Sequence, residues 1–356
     1  MRVLVTGAAG FICGYLVPEL LEAGHEVVGL DNFSKYGPLA KSYDDHPRYR
    51  FVEGDAKDVA LVRELAKDCD QVVAAAAMIG GISYFHEFAY DLLAENERIL
   101  AATFDAAIDA RRNGRLQRIV VISSSMVYES ATVFPTPEGA QLTSPPPLST
   151  YGFQKLASEF FAKGAWEQYQ LPYTILRPFN CVGIGERRAL RDTEVMSGNV
   201  KLALSHVVPD LALKALQGQD PLHIMGEGNQ VRHYTYGGDL ARGIRLAMES
   251  PKAVNDDFNL STATSTTVLE LAEIIWRKVH GADAEPGDAE PGGAEPGGAK
   301  PFRYVSDAPF EYDVQRRVPD VRKAREVLGF EATTTLDDML DEVIPWIRSE
   351  LAGARV

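Results

Sequence analysis

A tyrosine and a lysine lie four residues apart near the middle of the chain, at Tyr151 and Lys155. On a helix this spacing brings both side chains to one face, because residues i and i+4 are neighbours there. An ammonium group close to a phenol favours the phenolate and lowers the pKa of the phenol. Such a tyrosine can take the proton of a substrate hydroxyl while a hydride leaves the same carbon. Taken alone, such a pair is more often part of an exposed helix surface than of a site.

Three consecutive serines, Ser123 to Ser125, follow an apolar segment upstream of this pair. The segment, residues 119–122, predicts a buried β-strand. Ligands bind at the carboxyl ends of strands in parallel α/β sheets. The strand-end serines and the tyrosine–lysine pair therefore indicate one catalytic site.

A glycine-containing turn near the start of the chain joins a predicted strand to a predicted helix, with Gly7 and Gly10 three residues apart. Small residues there let the backbone approach a pyrophosphate, and the helix N-terminus supplies free N–H groups and the positive end of a dipole. An ordinary tight turn is the alternative interpretation. Asp31 ends the next predicted strand, where a carboxylate accepts hydrogen bonds from ribose hydroxyls and repels a 2′-phosphate. Asp31 therefore favours NAD over NADP, unless it is only a polar turn residue beside Asn32.

The elements that would position these groups alternate along the first half of the chain. Apolar strand segments are predicted at residues 3–5, 26–30, 49–52, 71–75, 119–122 and 173–176, and helices at residues 11–23, 57–67, 88–112 and 151–169. Strands that are apolar throughout and separated by helices indicate parallel βαβ units that are buried on both faces. We predict an α/β fold: a Rossmann-type doubly wound parallel sheet with a smaller C-terminal α/β substrate-binding region.

The pattern of the sequence changes after residue 176, where the apolar segments become shorter and more mixed. We therefore predict a dinucleotide-binding domain over residues 1–176, which carries the tyrosine–lysine pair, and a mainly substrate-binding region over residues 177–356. Residues 284–298 repeat a five-residue unit of Ala, Glu or Asp, Pro and Gly. Because such residues bury little apolar area, this stretch is predicted to be a linker or surface loop.

The composition excludes several classes of function. Lys and Arg total 36 against 50 Asp and Glu, so the formal charge is −14, which disfavours binding to nucleic acid. The three cysteines have no paired spacing, so neither a disulfide framework nor a metal site is expected. The N-terminus lacks the apolar core of a signal peptide, and no stretch approaches 18 apolar residues. The sequence predicts a soluble, cytoplasmic protein.

Several motifs in this order resemble one family. They are TGAAGFI (residues 6–12), SSSMVY (123–128), YGFQK (151–155), LRPFN (176–180), GNQVRHYTYGGDLA (228–241) and RRVPDVRKAREVLGF (316–330). The chain resembles the extended short-chain dehydrogenase/reductase family, in particular its NAD-dependent nucleotide-sugar epimerases and dehydratases. The resemblance implies NAD as cofactor, a UDP- or GDP-sugar as substrate, and a homodimer in which residues 88–112 and 151–169 pair with their copies as four helices.

The resemblance also implies roles for individual residues. Ser124 is the hydroxyl partner, Tyr151 the acid/base and Lys155 the ligand of the nicotinamide ribose, while Asn180 and Arg232 hold the diphosphate. The cofactor residues are Gly7, Gly10, Phe11, Ile12, Asp31, Asn32, Asp55, Ala56, Ala75, Ala76, Ala77, Asn96, Tyr151, Lys155 and Pro178. The substrate residues are Met78, Gly80, Gly81, Ser125, Met126, Asn180, His206 and Arg232.

The reaction is indicated by the groups that are missing. Dehydratases of the family carry an Asp-Glu pair after the strand-end hydroxyl, and decarboxylases carry a Glu two residues before the position of Tyr128. Ser125 and Met126 stand at these positions, and neither supplies the usual acid. We therefore favour epimerisation at C4 of the sugar, by transient oxidation to a 4-keto intermediate and return of the hydride.

Three alternatives stay open. Residues 78–82 and 205–209 resemble stretches of GDP-sugar C3/C5 epimerases and GDP-fucose synthases, in which a catalytic histidine would correspond to His206. The cysteine that partners this histidine corresponds to Met126 here. Another enzyme that forms a 4-keto sugar nucleotide, a dehydratase or a decarboxylase, is the second alternative. A catalytically silent sensor of sugar nucleotides with bound NAD is the third, although it would have no need for Ser124, Tyr151 and Lys155 together.

Overall fold

The structure is a computed structural model that describes residues 1–79, 88–187, 195–197, 200–202, 206–281, 300–309 and 313–353. Its strands are β1 (Arg2–Thr6), β2 (Glu26–Asp31), β3 (Tyr49–Glu53), β4 (Gln71–Ala74), β5 (Arg118–Ile122), β6 (Tyr173–Pro178), β7 (Cys181–Val182), β8 (Val195–Ser197), β9 (Val200–Leu202), β10 (Leu222–Met225), β11 (Val231–Arg232), β12 (Thr235–Tyr236), β13 (Asp256–Leu260), β14 (Thr266–Thr267) and β15 (Tyr304–Asp307). Its α-helices are α1 (Phe11–Glu22), α2 (Val59–Ala66), α3 (Ala89–Asn113), α4 (Thr150–Tyr169), α5 (Val207–Leu216), α6 (Gly237–Glu249), α7 (Val268–His280) and α8 (Leu336–Gly353).

A seven-stranded parallel sheet forms the centre of the protein, in the order β13-β6-β5-β4-β1-β2-β3. The strand order reverses between β1 and β4, since the chain first builds outward from β1 to β3 and then returns to build in the other direction. In open α/β sheets, ligands bind in the crevice at such a reversal, beyond the carboxyl ends of the strands. The sheet therefore places the ends of β1, β4, β5 and β6 around one crevice.

Helices cover both faces of the sheet, which explains why its central strands are largely apolar. On one face, α1 and α6 pack Leu16, Leu20 and Ile244 against the side chains of Val3 and Val5. On the other face, α2, α3 and α4 form a second core cluster, which contains Leu4, Val62, Phe104, Ala107 and Ala162 among others. Both clusters contain side chains of β1, and the first also contains those of α1, the helix that follows β1.

A third core lies outside the sheet and joins α5, α7 and α8 to the strand β10. Trp276 of α7 is fully buried there together with Leu271 and Leu340. The side of this unit that carries the start of α5 and the end of β10 faces the crevice of the large sheet.

The predicted Rossmann-type sheet is confirmed, and its helices and strands lie where the periodicity indicates. The seventh strand, β13, and the helix α6 come from beyond residue 176, so the second part of the chain completes the sheet of the first. The division of the chain at residue 176 stays a prediction. The repeat at residues 284–298 and the predicted substrate residues Gly80 and Gly81 lie outside the described residues.

No helix within the described ranges has the length and apolar character needed to cross a membrane. The same ranges contain no group of three His, Cys, Asp or Glu side chains that could hold a metal ion. Location in the cytoplasm stays a prediction.

Candidate active site

A cavity of about 620 Å³ lies at the carboxyl ends of the sheet strands and extends to the start of α5. Most of the residues predicted for the site line it. They are Gly7, Gly10, Phe11, Ile12, Asp31, Asn32, Asp55, Ala56, Ala75, Ala76, Ala77, Met78, Ser124, Ser125, Met126, Tyr151, Lys155, Pro178, Asn180, His206 and Arg232. The sequence motifs, which are far apart along the chain, therefore meet in one cavity.

The glycine turn is shaped by close contact between two strand ends. Gly7 has a φ of +75°, in the left-handed region, and its N–H donates to the carbonyl of Leu30 at 2.8 Å. A Cβ at Gly7 would lie 2.8 Å from the Cα of Ala76. The N-cap residue of α1 is Gly10, which has no side chain that could cap the helix. The free N–H groups at the start of α1 therefore face the cavity as a site for a phosphate group.

Thr6 holds the end of β4 against the end of β1. Its hydroxyl accepts hydrogen bonds from the N–H groups of Ala75 and Ala76, both at 3.2 Å, and donates to the carbonyl of Val73 at 3.3 Å. The run of small residues 75–77, which is held by these bonds, lines the cavity. This arrangement leaves room for a ligand above the turn.

Asp31 lines the cavity beside the glycine turn. Its two carboxylate oxygens accept hydrogen bonds from the N–H groups of Phe33 at 2.7 Å and Ala9 at 3.0 Å. Burial raises the pKa of this carboxyl group, and the backbone donors act in the opposite direction. A carboxylate held in this way can accept further hydrogen bonds from ribose hydroxyls.

Asn96 lies elsewhere than predicted. It does not line the cavity, and its side-chain amide is bonded to the backbone of Met78: the oxygen accepts from the N–H at 2.7 Å and the nitrogen donates to the carbonyl at 2.9 Å. These two hydrogen bonds fix the backbone at Met78, directly after residues 75–77. Asn96 therefore supports the cavity wall, and the sequence alone could not separate this role from direct contact with a cofactor.

Tyr151 and Lys155 lie in the first two turns of α4, whose N-terminus is capped by the Ser149 hydroxyl. The Tyr151 hydroxyl is hydrogen-bonded to Ser124. Burial raises the pKa of Tyr151, while the bond to Ser124 and the positive charge of Arg317 lower it. The geometry brings together a phenol, a serine hydroxyl and two cations, as proton transfer to and from a substrate hydroxyl requires.

The ammonium group of Lys155 is buried below the phenol. It donates to the carbonyl of Ile122 at 2.9 Å and lies 6.0 Å from the centre of the Tyr151 ring. Burial lowers the pKa of Lys155 to about 8. The lysine is therefore a positive charge that can be lost close to neutral pH.

The wall beside Tyr151 is apolar. Met126 packs with Leu92 and Tyr151, and Met78 and Phe88 border this cluster. Met126 also lines the cavity, so the position at which decarboxylases carry an acid holds a thioether here. A thioether transfers no proton.

Two arginines, Arg232 and Arg317, also line the cavity. Arg232 donates to the Asp313 carboxylate at 3.2 Å, whereas the Nε of Arg317 has no hydrogen-bond partner among the described residues. Burial lowers the pKa of Arg317 to about 9, and the charge of Arg232 adds to this effect. Buried guanidinium groups that face a cavity suit a bound anion such as a diphosphate. Arg317 was not among the predicted site residues, although it lies within the quoted motif RRVPD.

His206 precedes α5 and also lines the cavity. Its Nδ1 is bonded to the carboxylate of Glu186, whose side chain is almost completely buried. This bond orients the imidazole ring and leaves Nε2 as the second polar atom of the ring. Glu186 gave no signal in the sequence, because the contact joins two segments across the cavity.

The residues at the nucleotide end of the cavity fit NAD. Gly7 lies so close to Ala76 that a side chain at this position would fill the space above the glycine turn. The N-cap residue of α1, Gly10, has no side chain, and Asp31 presents a carboxylate to the cavity. A Rossmann-type sheet with the Ser124–Tyr151–Lys155 set at its carboxyl edge is the arrangement that defines short-chain dehydrogenases and reductases.

Comparison with known proteins narrows this class. The model of the NAD dependent epimerase/dehydratase family matches residues 3–261. The chain therefore belongs to the NAD-dependent epimerase/dehydratase family, and NAD is its cofactor.

Relatives within this family carry out different reactions. The chain is 26% identical to a UDP-glucose 4-epimerase from Lactobacillus helveticus, over 99% of both chains. It is equally 26% identical to UDP-glucuronic acid decarboxylase 1 from Xenopus tropicalis, over 98% of this chain and 73% of the relative. The crystal structure of the UDP-glucose 4-epimerase from Thermotoga maritima with UDP-glucose matches with a TM-score of 0.76 and 26% identity, over 99% of this chain and 100% of that one.

Proposed function

We propose that this protein inverts the configuration at C4 of a nucleotide-diphosphate sugar. The observation that carries the proposal is the site itself: a complete Ser124–Tyr151–Lys155 set beside an apolar wall at Met126. The groups for oxidising and re-reducing a hydroxyl-bearing carbon are present. The extra acids that elimination or decarboxylation uses are absent from positions 125 and 126.

The chain's own residues account for the proton movements. Tyr151, as the phenolate, removes the proton of the C4 hydroxyl, and Ser124 donates a hydrogen bond to the reacting oxygen. Lys155 supplies the positive charge that favours the phenolate. NAD, which Gly7, Gly10 and Asp31 would hold at the cofactor end of the cavity, would supply a reversible hydride acceptor for C4. After the 4-keto sugar has turned its other face, Tyr151 gives the proton back to the oxygen, so no proton or electron pair is gained or lost overall.

The charged residues suggest how the substrate is oriented. Arg232 and Arg317 would bind the diphosphate, with the sugar toward Tyr151. The nucleotide base would then lie between the start of α5 and the end of β10, where Val208, Leu211 and Met225 line the cavity. The relatives named for UDP-sugars support a UDP-hexose as the first substrate to test, with GDP-sugars as the alternative.

The His206–Glu186 pair favours a second candidate, inversion at C3 or C5. Such a reaction needs an acid/base in addition to Tyr151, because a carbon next to the 4-ketone must lose and regain a proton. A histidine oriented by a buried carboxylate is a suitable group. Under the first proposal, the same pair binds a sugar hydroxyl.

Proton NMR of sugar nucleotides incubated with the purified protein tests the proposal. We expect UDP-glucose or another UDP-hexose to be converted into its C4 epimer, and a Tyr151→Phe variant to leave the substrate unchanged. If no UDP- or GDP-sugar changes while NAD stays bound, the protein is a sensor and the proposed activity is wrong. Loss of carbon dioxide or water from the sugar would instead identify a decarboxylase or a dehydratase.

A further inference from the structure

A buried carboxylate lies one helical turn beyond Lys155. Tyr151, Lys155 and Glu159 follow one another at intervals of four residues along α4, so they share one face of the helix. The Glu159 side chain is 1% exposed. It does not line the cavity, and the proposed mechanism does not use it.

Four hydrogen bonds converge on Glu159. One oxygen accepts from the Ser123 hydroxyl at 2.7 Å and from the Nε of Arg177 at 2.7 Å. The other accepts from the Nη2 of Arg177 at 2.7 Å and from the side-chain amide of Gln141 at 3.1 Å. The carboxylate is therefore held on all sides by donors from β6, from the end of β5 and from the loop before α4.

Arg177 continues the network toward the seventh strand. Its Nη1 donates to the Tyr128 hydroxyl at 2.9 Å, and this hydroxyl donates to Asn259 of β13 at 2.9 Å. Its Nη2 also lies 2.6 Å from Asp257. The two carboxylates hold the pKa of Arg177 well above its ordinary value against the effect of burial.

The bonded residues are direct neighbours of the reacting groups. Ser123 precedes Ser124, and Arg177 precedes Pro178, which lines the cavity. Glu159 itself is one turn from Lys155. A single carboxylate thus connects the ends of β5 and β6 to the helix that carries the phenol and the ammonium group.

We propose that Glu159 is a positioning residue, which fixes the distance between Ser124 and the Tyr151–Lys155 pair through its bonds to Ser123 and Arg177. The proposal rests on the proposed function, in which Ser124 and Tyr151 must meet the same substrate oxygen while Lys155 stays close to the phenol. A buried ion pair contributes little net stability compared with apolar side chains of similar volume. Its effect is a fixed geometry, and catalysis is sensitive to shifts of about 1 Å, which can cost on the order of 10²-fold in rate.

The test compares Glu159→Asp and Ser123→Ala with a matched control, Arg118→Met. Arg118 is another buried arginine, at the amino end of β5, where its guanidinium donates to Thr174 and to the carbonyl of Ser250. Each variant is assayed with the sugar that the unmodified protein converts, and its thermal unfolding and bound NAD are measured in parallel. Ser123→Ala removes the hydrogen bond from Ser123 to Glu159 and keeps the ion pair between Arg177 and Glu159. This variant therefore tests the proposal even if Glu159→Asp fails to fold.

We expect kcat to fall about tenfold or more in Glu159→Asp and several-fold, about three- to tenfold, in Ser123→Ala, with KM and NAD content unchanged. The acidic limb of the kcat/KM profile should move to higher pH in both variants, because a displaced Ser124 no longer lowers the pKa of Tyr151. Arg118→Met should lose thermal stability and keep kcat and the pH profile. Glu159 is merely structural if both site variants keep the parental kcat and the parental pH profile of kcat/KM. The same conclusion follows if their loss of activity is no larger than that of Arg118→Met at an equal loss of thermal stability. If the unmodified protein converts no sugar, the proposed function fails instead.

Discussion

The chemistry of the site depends on how deeply its two central residues are buried. Burial raises the pKa of the Tyr151 phenol and lowers that of the Lys155 ammonium group. Both shifts oppose the ionised forms that catalysis uses, and for Tyr151 the bond to Ser124 and the charge of Arg317 act against the effect of burial. The charge of the bound nicotinamide would act in the same direction on Tyr151.

Replacing Tyr151 by Phe removes the acid/base and nothing else from the cavity wall. We expect kcat to fall by at least ~10²-fold, the usual scale for one general acid/base. NAD content and thermal stability should stay close to those of the parent, since the ring still packs against Met126 and Leu92. Steady-state kinetics of the purified variant measures this, and turnover near the parental value would show that another group moves the proton.

The pH dependence of activity should reveal Lys155. Its pKa is lowered from 10.5 to about 8, so in the folded protein Lys155 loses its proton and its positive charge as the pH rises through about 8. The phenolate then loses one of its two neighbouring cations, and kcat/KM should fall on the alkaline side. In Lys155→Arg the guanidinium stays charged over this range. The alkaline limb of the kcat/KM profile should therefore move to higher pH in this variant. If the limb stays at the same pH, the titration of a group other than Lys155 causes it.

At the scale of elements, the contact between the turn after β1 and the end of β4 shapes the cofactor end. Gly7→Ala places a Cβ 2.8 Å from the Cα of Ala76 and forces a non-glycine residue to a φ of +75°. We expect the free energy of unfolding to fall by about 1–3 kcal/mol, together with loss of bound NAD. Denaturant unfolding and the NAD content of the purified protein measure the two effects.

Gly164→Ala is the matched control for this change. Gly164 lies within α4, and a Cβ there would meet no atom within 4 Å beyond the adjoining backbone of its own helix, among the residues that the structure describes. Alanine should stabilise the helix by roughly 0.5–1 kcal/mol and leave NAD bound. If Gly7→Ala and Gly164→Ala have the same free energy of unfolding and the same NAD content, the glycine turn tolerates a side chain.

The local elements could be predicted from the sequence, and several contacts between them could not. The apolar runs of β1 and β5, the turn at Gly7 and the spacing of Tyr151 and Lys155 are local patterns that physical rules convert directly into structure. The pairing of β13 with β6 and the ion pair between Arg177 and Glu159 join segments that carry no shared pattern. The same holds for Glu186 beside His206, and for Asn96, whose burial against Met78 depends on the packing of α3.

At the scale of the whole molecule, α4 leaves two large apolar side chains in solvent. Phe153 and Phe160 lie seven residues apart on this helix and are 48% and 56% exposed, and Tyr90 of α3 is 76% exposed. Side chains at this spacing share one face of a helix. This exposed face supports the predicted homodimer through α3 and α4, which stays a prediction.

Phe160→Glu should disrupt that dimer, because it places a charge at the centre of an apolar interface. We expect sedimentation to show a dimer for the parent at micromolar concentration and a monomer for the variant. Val254→Glu is the control: Val254 is 42% exposed and lies directly before β13, outside α3 and α4. A parent that sediments as a monomer, or a dimer that survives Phe160→Glu, would contradict this interface.

Reaction in deuterium oxide tests the central claim, inversion at C4, most directly. If the hydride returns to the carbon that it left, no carbon-bound proton exchanges with water, and mass spectrometry and proton NMR should show a C4-inverted product without deuterium on any ring carbon. His206→Asn should then mainly raise KM. Deuterium at C3 or C5 of the product, with exchange slowed on the order of 10²-fold in His206→Asn, would contradict the account and make His206 the second acid/base.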